Sequence, residues 1–229
     1  MAIARYLAMT AEEFAGTSTI PERVAWMACH FSPYSSSLLN LPEKLPDQSL
    51  LILNDSTPPS GQDPKIIAQL VENILKAQNC FGLLLDFQRP DNPETLKIAQ
   101  ELLQIGFPLC ISNLYAKALD CPVFLPPPPL TVPLSEYIAP WKDRQIWLDT
   151  ALSCEEITVT EKGSTFRPIT VAPECPFEDK ELHCHYHIAS TEDGFSFTLQ
   201  RTKEDLNNLF AEAETLGITV SVGLYQELK

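Results

Sequence analysis

Short apolar runs that end in polar residues recur along the chain and alternate with amphipathic segments. The clearest run is Phe81–Leu85, which is followed by Asp86 and Gln88. Such an unbroken run is typical of a strand buried on both faces, as in a parallel sheet. Because side chains alternate along a strand, Leu84, Asp86 and Gln88 are predicted to share one face, with the two polar groups at its carboxyl end.

The same pattern predicts eight strands and four helices along the chain. The strands are Val24–Cys29, Leu50–Asn54, Phe81–Gln88, Phe107–Ser112, Pro122–Leu125, Gln145–Asp149, His183–Ile188 and Ile218–Glu227. The helices are Pro64–Lys76, Pro93–Ile105, Leu134–Ala139 and Lys203–Thr215. Between the sixth and seventh strands, residues 157–171 alternate around Lys162-Gly163 as in a β-hairpin, and Gly194–Leu199 is predicted to pair with the seventh strand.

Alternating strands and helices with short connections favour a parallel α/β fold. The count of eight predicts a single domain over residues 1–229. We expect a (β/α)8 TIM-type barrel with some helices reduced to loops and a β-hairpin insertion near 157–171. That hairpin lies either over the barrel mouth or in its wall. An open doubly wound sheet is the competing architecture, but no glycine-rich phosphate loop follows the early strands, so no cofactor is predicted.

Composition narrows the classes of partner. The net charge is −14, with 16 basic and 30 acidic residues, and the basic residues form no cluster. Nucleic acid and anionic membrane surfaces are therefore not expected, and a neutral or weakly cationic small ligand fits better. Seven irregularly spaced cysteines and no signal-peptide pattern indicate free thiols in the cytoplasm. The sequence does not predict an oligomeric state.

One segment resembles a known family. Asn79-Cys-Phe-Gly82 followed by Leu-Leu-Leu-Asp-Phe-Gln88 is similar to the fourth-strand region of glycoside hydrolase family 18, the chitinase-like barrels. In that family's motif, roughly D-G-[VIL]-D-[FWIL]-D-[FWY]-E, the resemblance matches Gly82 and Asp86. It puts Gln88 where the family has its general acid, and an amide cannot protonate a leaving oxygen.

The resemblance extends to the last strand. Ser221-Val-Gly-Leu-Tyr225 is similar to the family's final strand, and this similarity implies that Tyr225 provides the floor of a sugar site. Members of the family that lack the acid resemble sugar-binding proteins, so the expected activity is binding.

Other strand ends supply further candidates. Asp149 and Glu227 end predicted strands and, together with Asp86, are candidate catalytic carboxyls for a hydrolase of a different design. Gln88, Tyr225, His185 and Tyr186 are candidate ligand-binding residues. In each case the alternative is an ordinary solvated strand end or a core aromatic ring.

His183-Cys-His-Tyr-His187 is the most unusual local pattern. Three alternating histidines in a strand share one face, and His183 with His185 is a common spacing for zinc ligands. Three rings in a straight row span too far to bind one ion, so no metal site is predicted, and a polar strand face remains the leading interpretation.

Three functional hypotheses follow. The first is a chitinase-like barrel that has lost the usual acid and binds a saccharide or another small polar ligand. The second is a hydrolase that uses Asp86 with Glu227 or Asp149, or a metal at His183 and His185. The third is a non-enzymatic structural or partner-binding barrel.

Overall fold

The protein is described here by a computed structural model that covers residues 2–170 and 173–229. Two sheets are present in this part of the chain. The larger has nine strands and the smaller has five. The strands are β1 (Ala4–Met9), β2 (Val24–Phe31), β3 (Leu38–Leu39), β4 (Leu50–Asn54), β5 (Gly82–Asp86), β6 (Leu109–Ser112), β7 (Val123–Leu125), β8 (Ile146–Thr150), β9 (Cys154–Thr160), β10 (Gly163–Pro168), β11 (Phe177–Asp179), β12 (Cys184–Thr191), β13 (Gly194–Gln200) and β14 (Val220–Leu224).

Eight parallel strands close into a barrel, in the order β1, β2, β4, β5, β6, β7, β8 and β14. Closure is made by β1, which pairs with β14 through Ala4 opposite Val220 and with β2 through Leu7 opposite Val24. The short β3 adds to β2 in the antiparallel direction. The (β/α)8 expectation is therefore confirmed.

Within the described ranges, six α-helices accompany the strands: α1 (Ala11–Gly16), α2 (Pro64–Ala77), α3 (Pro93–Leu102), α4 (Leu134–Ile138), α5 (Lys203–Thr215) and α6 (Tyr225–Leu228). The two longest begin at clear capping signals. The Asp63 side chain accepts from the backbone N–H of Lys65, and Thr202 forms a capping box with Asp205. Each bond satisfies an amide that a helix start would leave unpaired, and this explains why the sequence placed these two starts correctly.

The predicted membership of the barrel was wrong at one strand. His183–Ile188 was counted as the seventh barrel strand, but it forms β12 of the second sheet. The true first strand, β1, was missed because Arg5 interrupts its apolar run and alanine has a low strand propensity. With β1 in place, β5 becomes the fourth barrel strand, the position that the family resemblance had implied for it.

The second sheet is inserted between β8 and α5 and has the antiparallel order β10-β9-β13-β12-β11. Its first hairpin joins β9 to β10 at Gly163, where φ is +129°, a conformation suited to glycine. This confirms the hairpin predicted over residues 157–171, whose last residue, Val171, lies outside the described residues. The interpretation of residues 1–229 as one domain stays a prediction.

Apolar side chains fill the barrel interior and the layer outside it. The interior cluster includes Leu84 and Trp147, and the outer cluster packs β5 against α2 and α3. Gly82 shows how closely the barrel strands approach one another, because a Cβ there would lie 2.4 Å from the backbone oxygen of Pro108. This close approach gives a physical reason for the glycine in the motif.

Candidate functional site

A cavity of about 590 Å³ opens where the barrel strands end. Its apolar floor consists of Ala8, Met27, Ile52, Leu84, Phe124 and Val222. Its polar lining consists of Asn54, Asp55, Ser56, Asp86, Gln88, Arg89 and Asp149, with Gly223 and Leu224 completing the wall. This size and this mixture of an apolar body with a few polar groups are typical of small-molecule sites, and the carboxyl ends of barrel strands are where such sites occur.

Asp86 and Gln88 lie together in this cavity, as the alternation of β5 predicts. The Gln88 side-chain amide donates a hydrogen bond to Asp86 Oδ1. Burial raises the pKa of Asp86, the bond from Gln88 opposes that shift, and the nearby charge of Asp55 adds to it. The amide therefore holds the carboxylate in place and stabilises its charged form.

Asp55 fixes the backbone that carries Gln88. Its side chain is only 2% exposed and accepts the backbone N–H groups of Gln88 at 2.8 Å and Arg89 at 3.0 Å. On the other side of this loop, Tyr115 donates its hydroxyl hydrogen bond to the Arg89 carbonyl. Two elements distant in sequence thus hold the loop in place.

Asp149 lines the same cavity from the end of β8. Its Oδ1 accepts the backbone N–H of Thr150 at 2.8 Å. Burial raises the pKa of Asp149 to about 7, against the effect of the Thr150 bond, and the charges of Asp86 and Glu227 add to the rise. A carboxyl with a pKa near neutrality is suited to give or take a proton at physiological pH.

Glu227 and Tyr225 lie on α6, just past the end of β14, and are not part of the cavity lining. Tyr225 was expected to line the site from the end of the last strand. That strand, β14, ends one residue earlier, and Leu224 lines the cavity wall instead. The Tyr225 ring packs against the outer apolar cluster, and its hydroxyl lies 3.0 Å from Thr17 Oγ1. Glu227 Oε2 is buried and, within the described part of the chain, has no hydrogen-bond partner.

His185 and Tyr186 lie in the second sheet, outside the cavity lining. His185 Nδ1 lies 2.9 Å from Asp205 Oδ2, and this hydrogen bond is the main cause that raises the pKa of the imidazole. The Tyr186 ring is 5.4 Å from that of Phe177. Neither residue joins Asp86 in the lining of the cavity at the barrel mouth.

The histidine row is shorter than the sequence implied. His183 precedes β12 and has a φ of +49°, so it does not continue the alternation of His185 and His187. Its Nε2 lies 2.5 Å from Glu212 Oε2. Among residues 2–170 and 173–229, no group of three or more His, Cys, Asp or Glu residues is placed to hold a metal ion.

These features define a class: a (β/α)8 barrel with a polar cavity at its carboxyl mouth and carboxyls on its fourth and seventh strands. The fold is similar to those of solved chitinase and chitinase-like structures, one of which is described as a glycoside hydrolase family 18 enzyme. No protein-family model matches the sequence, and no curated protein sequence matches it significantly.

Three solved structures illustrate the likeness. A chitinase from Chromobacterium violaceum has a TM-score of 0.56 at 9% identity, covering 99% of this chain and 95% of its own. A chitinase-like agglutinin from Robinia pseudoacacia has a TM-score of 0.57 at 11% identity, covering 98% and 95%. A family 18 N-acetylglucosaminidase from Paenibacillus barengoltzii has a TM-score of 0.55 at 10% identity, also covering 98% and 95%. At these identities the likeness is one of fold.

Two further observations concern cysteines and membranes. All seven cysteines are free thiols. In the part of the chain that the structure describes, no helix is both long enough and apolar enough to cross a membrane.

Proposed function

We propose that the barrel mouth binds a small polar ligand of the saccharide class, neutral or weakly cationic, without the acid catalysis associated with the position of Gln88. The observation that carries this proposal is the pairing of Asp86 with the Gln88 amide inside a cavity that has an apolar floor. Hydroxyl groups of a sugar can donate to carboxylates and accept from the amide, and its apolar C–H faces fit the floor.

The charge of the cavity supports a neutral or cationic ligand. Asp86 and Asp149 line it, and Arg89 is its only basic lining residue within the described chain. The Arg89 guanidinium is engaged by the Ser56 carbonyl at 2.7 Å. An anionic ligand would have to approach these two carboxyls and that of Asp55, which also lines the cavity, whereas an amine or hydroxyl donor would relieve their mutual repulsion. The Robinia pseudoacacia protein, which has a similar fold, is described as a chitinase-like agglutinin, a name that refers to binding.

The test is glycan screening followed by calorimetric titration of each ligand found. Asp86→Ala removes a central acceptor, and we expect it to weaken binding at least about tenfold, the loss of a charge-assisted hydrogen bond. Asp143→Ala is the matched control, since Asp143 is exposed and lies before β8, at the opposite end of the strand that carries Asp149. The proposal fails if Asp86→Ala binds every glycan as well as the parent does.

A second function is favoured by one specific observation, the pKa of about 7 at Asp149 in a cavity shared with a second carboxyl. We propose as the alternative that Asp149 and Asp86 form an acid/base pair for glycoside hydrolysis. In that case the wild-type protein cleaves aryl glycosides and Asp149→Asn lowers kcat at least about 100-fold. An inert wild type that gains activity with Gln88→Glu would favour the binding proposal instead.

A further inference from the structure

One face of the inserted sheet carries a continuous set of apolar side chains. Cross-strand partners point to the same side of a sheet, as do residues two apart along a strand. The register aligns Phe166, Ile157, Phe197 and Ile188 in one row, Val159 and Phe195 in the next row, and Leu199, Tyr186 and Phe177 in a third. We call these nine residues the apolar sheet face.

Part of this face is covered by the barrel side of the molecule. Leu199 and Cys184 pack there against Leu130, from the proline-rich loop that follows β7, and Ile157, Tyr186 and Phe197 are partly buried against the same cluster. The rest of the face remains open, with Phe166 59% exposed, Phe177 52% and Phe195 53% exposed. Val159 and Ile188 are exposed beside them.

The opposite face of the sheet differs in chemistry. It carries Glu156, which pairs with Arg167 at 2.5 Å, together with Thr158 and His187. The sheet is therefore amphipathic in the manner of a layer that covers a core on one side. The described residues supply that core only for the side chains packed around Leu130 and leave the exposed ones uncovered.

The open area matches what a protein interface needs. Three half-exposed phenylalanines contribute roughly 300 Å², and the two aliphatic residues bring the apolar area to about 400 Å². Protein interfaces are about 60% apolar by area, so an interface with about 400 Å² of apolar surface has a total of about 700 Å² per partner. This area is close to the ~800 Å² per partner of a stable interface.

The charge distribution indicates the occupant. The chain carries a net charge of −14, yet the rows of Phe166 and Phe195 consist of apolar residues with Ser164 and Ser190 at the two ends of the second row. A partner recognised through its basic surface would meet no carboxylate in these two rows, because Glu155 lies in the third row, opposite Leu199. A second copy of this chain brings the same two uncharged rows, so two acidic molecules can meet without opposing like charges at the contact.

We propose that the apolar sheet face joins two copies of the chain in a symmetric dimer. The contact is isologous, with phenylalanines of one copy packing against the same face of the other. Because the force is burial of apolar surface between two strongly acidic molecules, added salt strengthens the dimer by screening their long-range repulsion. A contact based on opposite charges would weaken with salt.

Sedimentation velocity on the whole chain, from about 1 to 100 µM, tests the proposal. We expect a reversible dimer whose dissociation constant falls when salt is raised from about 50 to 500 mM. The double variant Phe166→Ser/Phe195→Ser should raise that constant at least about 100-fold. Ile66→Ser is the matched control, since Ile66 is 53% exposed on α2, and it should leave the dimer unchanged.

A second variant covers the case in which the double variant fails to fold. Ser190→Asp puts a carboxylate on the same face at an exposed polar position, where it removes no packing. It should give a folded monomer, verified by circular dichroism. A wild type that is monomeric at 100 µM, or a Ser190→Asp protein that dimerises like its parent, overturns the proposal. Both results are independent of glycan binding.

Discussion

At the scale of single residues, Asp149 is a cavity side chain whose surroundings strongly alter its chemistry. Burial raises its pKa to about 7, and the charges of Asp86 and Glu227 act in the same direction. In the unfolded chain the carboxyl returns to its ordinary value near 3.8. Between these two values only the folded state holds the proton, so folding is linked to pH through this one group.

The sign of the linkage fixes the expected behaviour of Asp149→Asn. The stability contributed by protonated Asp149 is fully present below about pH 4 and is lost as the pH rises through about 7. Asparagine carries no charge and still accepts from Thr150. We therefore expect the variant to be more stable than the parent at pH 8, by roughly 2 kcal/mol, and equal to it near pH 4.

Thermal unfolding at a series of pH values measures this difference, with Asp143→Asn as the surface control. The control should follow the parent at every pH. If the stability of the parent and of Asp149→Asn changed with pH in the same way, the pKa of Asp149 would not be raised in the folded protein.

The sequence predicted part of the site because alternation is local. It placed Leu84, Asp86 and Gln88 on one face of β5, and all three line the cavity. It misplaced the end of β14, because the helical turn of α6 begins at Tyr225 and stops the alternation there. The role of Asp55 could not be predicted from local sequence, because Asp55 follows β4 and its hydrogen-bond partners, Gln88 and Arg89, follow β5.

At the scale of elements, the inserted sheet is attached to the barrel by a few specific contacts. Arg201, 2% exposed, donates to the backbone carbonyls of Pro128 at 3.0 Å, Leu182 at 3.3 Å and His183 at 3.2 Å. Burial lowers its pKa from the ordinary value, against the pull of nearby acidic groups. One side chain thus connects the start of α5, the sheet and the proline-rich loop.

Arg201→Met retains much of the apolar stem but leaves three carbonyls without their donor. We expect a loss of about 2–4 kcal/mol in the free energy of unfolding, together with faster hydrogen exchange in β12 and β13. Chemical denaturation and exchange mass spectrometry measure the two effects.

Arg167→Met is the control for this experiment. Its guanidinium is exposed and, among the residues that the structure describes, pairs only with Glu156, so the loss should stay below about 0.5 kcal/mol. Equal effects of the two variants would mean that Arg201 does not attach the sheet.

Elements with strong local signals were predicted well, and those defined by tertiary partners were not. Helix α5 matches the predicted Lys203–Thr215, because Thr202 and Asp205 form a capping box within four residues. Strand β12 was assigned to the barrel because its residues are compatible with either sheet. Only its antiparallel pairing with β11 and β13 distinguishes the two.

At the scale of the whole molecule, the eight-strand barrel was predictable from the order of elements, and its charge was predictable from composition. The molecule has a net charge of −14, and the lining of its cavity includes Asp86 and Asp149. Long-range attraction therefore adds to local contacts for a positively charged ligand and adds nothing for a neutral one.

This difference gives a test of ligand class. We expect the affinity for glucosamine oligomers to fall at least about threefold as salt rises from about 20 to 300 mM at pH 7. Affinity for the matched N-acetylglucosamine oligomers should stay constant. Calorimetry at each salt concentration measures both, and equal salt dependence for the two ligands would contradict a role for the acidic mouth.

The pairing of β1 with β14 has a consequence for how the protein matures. Ala4 lies beside Val220, so the wall of the cavity is complete only when the chain has been made through β14. Such a contact carries a large loop-closure cost and forms late. On the ribosome, Asp86 and Asp149 are synthesised well before the strand that completes their enclosure. A ligand of the proposed site would therefore stabilise the finished barrel and would not act as a template for its assembly.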